Sequence, residues 1–193
     1  MEDKNTMSLR RAVFLDRDGT LIEDRGFLRE PSEVCLIPGV LESLRLLSER
    51  YLLFIVTNQT GVGEGVLKAE EVDTVNRHLL EVFATHGVHF ADVYVCPHKR
   101  SDDCVCIKPK PHFLEQAAKD YAVDLAASFA VGDHPHDVEF ATNVGAGGIY
   151  VLTGHGARHQ RELPDGVKVL ADIGEAAQWI LSLDPSVGDG SRA

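Results

Sequence analysis

The stretch Ala12-Val13-Phe14-Leu15-Asp16-Arg17-Asp18-Gly19-Thr20 decides the fold. Its apolar run is too short for a helix, and its β-branched and aromatic members read as a strand covered on both faces, as in a parallel sheet. The run ends abruptly in two carboxylates two residues apart. Strand side chains alternate, so Asp16 and Asp18 leave on one side if the extended geometry persists, and Gly19 lets the chain turn at once. Adjacent carboxylates repel each other. The pair is tolerable with a divalent cation between them or with one carboxyl protonated, and both states serve phosphoryl chemistry. Taken alone, the stretch also reads as an Asp-rich turn in which Asp18 bonds the backbone near Thr20.

Further along the chain the same arrangement recurs. Strands are predicted over 51–56, 93–95, 128–131 and 148–152. Between them, Val40, Leu41, Leu44 and Leu47 form a helical face, 68–86 and 111–121 read as amphipathic helices, Val138, Ala141 and Val144 share a face, and 173–181 closes the chain. Strands alternating with helices imply right-handed crossovers and a parallel sheet flanked by helices, an α/β Rossmann-like domain. Ligands in such sheets bind beyond the carboxyl ends of the strands. Polar clusters stand at those ends: Asp16 and Asp18, then Thr57-Asn58-Gln59-Thr60 before Gly61, Gly63 and Gly65, then Lys108, then Asp133 with Asp137. Their convergence on one edge points to a catalytic site.

At 193 residues, with 44% hydrophobic and 25% charged residues, one globular domain is expected and wholesale disorder is not. A monomer would suffice. The net charge of -11 argues against a nucleic-acid partner, which would need a basic face. With no run of roughly 20 apolar residues and no apolar core in the polar start, neither a membrane nor a secretion signal is expected, and the location is read as cytoplasmic. Residues 1–9 are expected to be disordered, 10–184 to form the domain, and 185–193 to be a flexible tail.

Cys96, His98, Cys104 and Cys106 offer three thiolates and an imidazole within a loop over 96–106, enough for a closed tetrahedral zinc site. A closed site is structural: it would pin the loop that presents Lys108. Free cytosolic cysteines are the plainer reading, and Cys35, standing alone, is assigned to packing.

The ordered set Asp16-Arg17-Asp18-Gly19-Thr20, Thr57-Asn58-Gln59, Lys108-Pro109 and Gly132-Asp133 with Asp137 resembles the haloacid dehalogenase superfamily of phosphatases. Cys-Pro-His followed by Cys-x-Cys-x-Lys-Pro resembles the branch containing D-glycero-D-manno-heptose 1,7-bisphosphate phosphatase and histidinol-phosphate phosphatase. The resemblance implies that Asp16 attacks phosphorus to form an aspartyl phosphate, while Asp18 protonates the leaving alcohol and then activates water. It implies Mg²⁺ held by Asp16, the backbone carbonyl of Asp18 and Asp133, with Asp137 behind them or simply capping a helix. It implies that Thr57 and Lys108 clamp the phosphoryl oxygens. Substrate contacts would come from Asp24, Arg25, Gly26, Phe27, Asn58, Gln59, Thr60, Ile107 and His134. Only 36 residues separate Thr20 from Thr57, which leaves no room for a separate cap domain.

Three departures from that pattern bear on substrate. Ile107 stands where the branch has arginine, His134 where the heptose enzyme pattern has lysine, and Glu64 where its glycine-rich loop has arginine. Ile107 is therefore expected to weaken recognition of a second anion, and Ile107→Arg to restore it. The run His134-Pro135-His136-Asp137, with His155, could alternatively hold a transition metal. The best substrate reading is heptose 1,7-bisphosphate, a step in carbohydrate metabolism, with histidinol phosphate or another small phosphorylated metabolite as the alternative. A phospho-accepting regulatory or zinc-dependent interaction module is the rival from outside enzymology, against which Asp18 speaks.

Overall fold

The computed structural model describes residues 8–183. The expected flexible tail and all but Ser8 and Leu9 of the expected disordered start lie outside the described residues. Six strands form one parallel sheet in the order β3-β2-β1-β4-β5-β6. They are β1 (Ala12–Leu15), β2 (Leu52–Asn58), β3 (Asp92–Cys96), β4 (Phe129–Gly132), β5 (Gly147–Val151) and β6 (Lys168–Leu170). Seven α-helices connect or close them: α1 (Val40–Ser48), α2 (Thr60–Gly63), α3 (Ala69–Thr85), α4 (His112–Tyr121), α5 (Pro135–Thr142), α6 (Gly156–His159) and α7 (Ile173–Ser182). Among these residues no helix is long and apolar enough to cross a membrane.

The two faces of the sheet follow from the alternation read in β1. Val13 and Leu15 join Leu53, Ile55, Val131 and Ile149 in a core completed by α1, α3 and α7, through residues such as Leu44, Leu79 and Ile180. Ala12 and Phe14 point the other way, into a second core with Phe54, Val56 and Ala130, closed by Phe113 and Leu114 of α4 and Phe140 of α5. That second core is aromatic. Phe14 stacks on Phe54 at 4.9 Å between ring centroids, Phe54 on Tyr94 at 5.9 Å, and Tyr94 on Phe113 at 5.0 Å. Burial on both faces is what requires the near-continuous apolar strands.

The chain runs outward from β1 through β2 to β3, then returns so that β4 lies on the other side of β1. The strand order reverses there, and the crevice beyond the carboxyl ends of β1 and β4 is where such sheets bind ligands. Two elements differ from the expectation. The short edge strand β6 joins the five predicted ones, and the glycines after Gln59 build the helical turn α2 instead of a loop. Between β1 and β2 the chain holds only α1, a short 3-10 turn at Pro31–Glu33 and isolated bridges such as Ile22 to Leu36, so a single α/β domain carries no separate cap.

Candidate active site

Asp16 follows β1, Thr57 and Asn58 end β2, Asp133 follows β4, and Lys108 enters from the loop after β3. The turn after β1 is tight for a reason. Gly19 has φ +84°, and a side chain there would collide with the Asp133 carboxylate, so a glycine permits the β1 and β4 ends to close on one another.

Lys108 is the centre of the site. Its ammonium, with the residue only 4% exposed, donates to Asp16 Oδ1 at 2.5 Å, Asp137 Oδ1 at 2.6 Å and the Val56 carbonyl at 2.9 Å. All three of its hydrogens are thereby engaged. Its backbone N–H is held by Asn58 Oδ1 at 3.1 Å. Burial pulls the ammonium's pKa down, but the charges of Asp137 and Asp16 outweigh it and hold the group above the ordinary lysine value. Burial raises the Asp16 carboxyl well above its usual range against the pull of Lys108, with Asp137 and Asp133 adding to the rise. Asp133 is pushed up to about 6, mainly by burial and partly by Asp137, although the His155 backbone N–H donates to its Oδ2 at 2.7 Å.

Carboxylate oxygens of Asp16, Asp133 and Asp137 lie within 4.8 Å of one another. Three carboxylates around one ammonium leave two negative charges without a protein counter-charge, and the donors are hard oxygens, which suits a divalent cation such as Mg²⁺. Asp137 also accepts the His134 N–H at 3.0 Å at the start of α5, so it caps that helix while its other oxygen holds Lys108. Among the described residues this leaves Asp16 Oδ2 and Asp133 Oδ1 without a hydrogen bond.

Asp18 sits apart from this cluster. Arg17, fully buried, donates to Asp18 Oδ2 through Nε at 3.0 Å and through Nη2 at 2.8 Å, reaches Oδ1 at 3.1 Å, and is held in turn by Asn76 Oδ1 of α3 at 2.7 Å. Gln59 Nε2 donates to Asp18 Oδ2 at 2.8 Å and to Thr57 Oγ1 at 2.9 Å. Arg17 and Asn76 were not among the residues expected at the site, and their link spans 59 positions of sequence with no local signal.

An open pocket of roughly 350 Å³ lies over these groups, lined by Asp16, Asp18, Asp24, Thr57, Asn58, Thr60, Lys108, Asp133, Asp137 and His134, and further by Arg100, His136 and His155. The substrate residues read from sequence divide here. Asp24, Asn58, Thr60 and His134 line the pocket. Arg25 turns to Glu23 at 2.9 Å on the surface, Gly26 serves the turn that holds Asp24, and the Phe27 ring lies against Gly61. Gln59 is 5% exposed and faces Asp18 and Thr57, so it braces the site from below. Ile107 is 7% exposed, packs in the aromatic core and is not among the residues that line the pocket.

Cys96, His98, Cys104 and Cys106 bring their donor atoms within 4.8 Å of one another. Sulfur–sulfur separations are 3.2, 3.6 and 3.7 Å, and His98 Nδ1 lies 3.3 and 3.8 Å from two of the sulfurs. Thiolates bound at about 2.3 Å to a tetrahedral centre would be about 3.8 Å apart, so the cluster has the dimensions of a closed zinc site. The cysteines form no disulfides. Among the described residues these four and the carboxylate triad are the two sets with metal-holding geometry, and the histidines of the pocket do not form a third.

The parallel α/β sheet thus gathers carboxylates and a buried lysine at its switch point, and similarity to known proteins gives the class. A family model described as HAD-hydrolase-like matches residues 105–176. The D-glycero-beta-D-manno-heptose-1,7-bisphosphate 7-phosphatase of Bordetella bronchiseptica is 31% identical over 175 residues, covering 89% of this chain and 98% of that protein. The crystal structure of the D,D-heptose 1,7-bisphosphate phosphatase from B. bronchiseptica, complexed with magnesium and phosphate, superposes with a TM-score of 0.83 at 30% identity, covering 90% of this chain and 99% of that one. The histidine biosynthesis bifunctional protein HisB of Legionella pneumophila is 33% identical over 150 residues, 76% of this chain and 43% of that protein. The chain belongs to the haloacid dehalogenase-like phosphatases, and it is a phosphatase.

Proposed function

We propose that this phosphatase is Mg²⁺-dependent, hydrolyses a small sugar phosphate through an aspartyl-phosphate intermediate, and takes D-glycero-D-manno-heptose 1,7-bisphosphate as substrate, removing the 7-phosphate. The observation that carries the reading is the buried cluster of Asp16, Lys108, Asp137 and Asp133 at the sheet's switch point. Similarity to the heptose phosphatases over nearly the whole chain supports the substrate.

In this reading the free oxygen of Asp16 attacks phosphorus and the P–O bond to the sugar breaks. The departing oxygen takes a proton from Asp18. Asp18 then removes a proton from the water that attacks the aspartyl phosphate, and inorganic phosphate leaves. Arg17 and Gln59 fix the aim of Asp18. Lys108 keeps Asp16 oriented and brings positive charge beside the transferring group, with the Thr57 hydroxyl on the other side. Asp16 and Asp133, with the Asp18 backbone carbonyl, would hold Mg²⁺, which when bound offsets the carboxylate charge and the charge developing on the phosphoryl oxygens. Asp137 supports them through Lys108. Zn²⁺ at Cys96, His98, Cys104 and Cys106 would hold the loop that delivers Lys108.

Phosphate release from heptose 1,7-bisphosphate, other sugar phosphates and histidinol phosphate tests the assignment. Turnover is expected to be greatest on the heptose bisphosphate and to fall at least about a thousandfold in Asp16→Asn with the fold retained. A preference for histidinol phosphate would move the substrate to the chemistry suggested by the HisB similarity. Near-normal turnover by Asp16→Asn would remove the covalent route.

A further inference from the structure

We propose that Arg100, carried by the Cys/His loop, is the specificity-determining residue that recognises a second phosphate of the same small substrate. The inference rests on the bisphosphate reading above. Ile107 lies in the apolar core, so the guanidinium that the sequence pattern would lead one to seek beside Lys108 is absent from that position. The pocket nevertheless has one. Arg100 is the sole arginine among its lining residues, and it arises from the 3-10 turn Arg100–Asp102.

Its partners set it apart from the arginines around it. Arg17 is fixed to Asp18 and Arg25 to Glu23, whereas among the described residues the contact of Arg100 is Nη2 to the His136 ring nitrogen at 3.3 Å, with no carboxylate. Lys108 has every hydrogen engaged inside the site. Arg100 is therefore the permanent cation at the pocket that remains open to an incoming anion. A planar fork of N–H donors suits phosphate oxygens. The other titratable groups at this end are His134, His136, His155 and Asp24, the last lying 3.6 Å from His155 Nε2.

The backbone under Arg100 is built to hold it there. Lys99 N–H donates to Asp102 Oδ2 at 3.2 Å, and Asp102 N–H to the Lys99 carbonyl at 3.0 Å. Gly63 of α2 donates its N–H to the Pro97 carbonyl at 2.7 Å, and a side chain at Gly63 would come within 2.6 Å of the Lys99 nitrogen. The loop thus seats on α2, with His98 and Cys104 bracketing Arg100. Its aim depends on the loop's cluster.

The test compares heptose 1,7-bisphosphate with heptose 7-phosphate, which present the same reacting phosphate with and without a second one. Arg100→Ala is expected to reduce the preference in kcat/KM for the bisphosphate at least tenfold, through KM more than kcat, and Arg100→Glu to reduce it further. In the Asp16→Asn background, calorimetric titration should show the same loss of bisphosphate affinity without turnover. An unchanged preference and unchanged binding in Arg100→Ala would overturn the subsite while leaving the phosphatase reading intact. Arg100-dependent binding in a protein that does not turn over the heptose sugars would support the subsite and overturn the substrate assignment. Equal losses on both sugars would overturn the proposal, since they would place Arg100 at the reacting phosphate.

Discussion

Arg17 is buried completely between Asp18 and Asn76, in a position the sequence presents as one more surface charge in a polar turn. A charge removed from water must be paired, and breaking such a pair by deleting one partner leaves the other exposed to the full desolvation cost. Arg17→Met should therefore lower stability by about 3–5 kcal/mol, read from chemical denaturation, and should lower kcat beyond what unfolding explains. Ile107 presents the opposite case. Its place in the motif predicted a substrate contact, but motif spacing locates a backbone position without saying where the side chain turns. An arginine there would have to enter or escape a packed aromatic cluster. Ile107→Arg is thus expected to destabilise the fold by about 1–3 kcal/mol without improving kcat/KM on a bisphosphate.

At the scale of elements, the loop between β3 and α4 carries the cysteine cluster, Arg100 and Lys108 together. Cys104→Ser should give less than one zinc per chain, a lower melting temperature and a raised KM, with added Mg²⁺ failing to restore any of these because it disfavours thiolates. Metal analysis beside a thermal melt checks it. The strands that carry the site were legible because fully buried parallel strands write themselves as apolar runs ending in polar residues. β6 was not: its three residues are half-buried at the sheet edge and give no such run. α2 was hidden by Gly61 and Gly63, which favour loops on propensity, yet both sit where neighbouring groups come too close for a side chain. Arg100 gives no signal in the sequence, because a charge in a polar loop normally faces water.

For the molecule as a whole, the carboxylate cluster predicts a response to divalent cations. Asp16, Asp133 and Asp137 are concentrated at one end of the sheet, against the single ammonium of Lys108. A cation that binds only the folded state stabilises it by an amount that grows with the logarithm of its concentration once this exceeds the dissociation constant. Millimolar Mg²⁺ should therefore raise the melting temperature, and Asp133→Asn should abolish most of that increase while itself tolerating the absence of Mg²⁺ better than the parent does. An equal Mg²⁺ effect in both proteins would place the cation elsewhere.

The pairing of β1 with β2 on one side and β4 on the other also orders events in time. The ammonium partner of Asp16 lies 92 residues downstream of it, and Asp133 and Asp137 come later still. At synthesis rates of about 5–20 residues per second, roughly 5–18 s pass before Lys108 follows Asp16 out. During that interval β1 can gain a neighbour on one flank only, and Asp16 lacks the buried surroundings that it has in the folded domain. On the proposed mechanism, the lysine and the carboxylates that Asp16 would work with are assembled only once the second half of the sheet has docked.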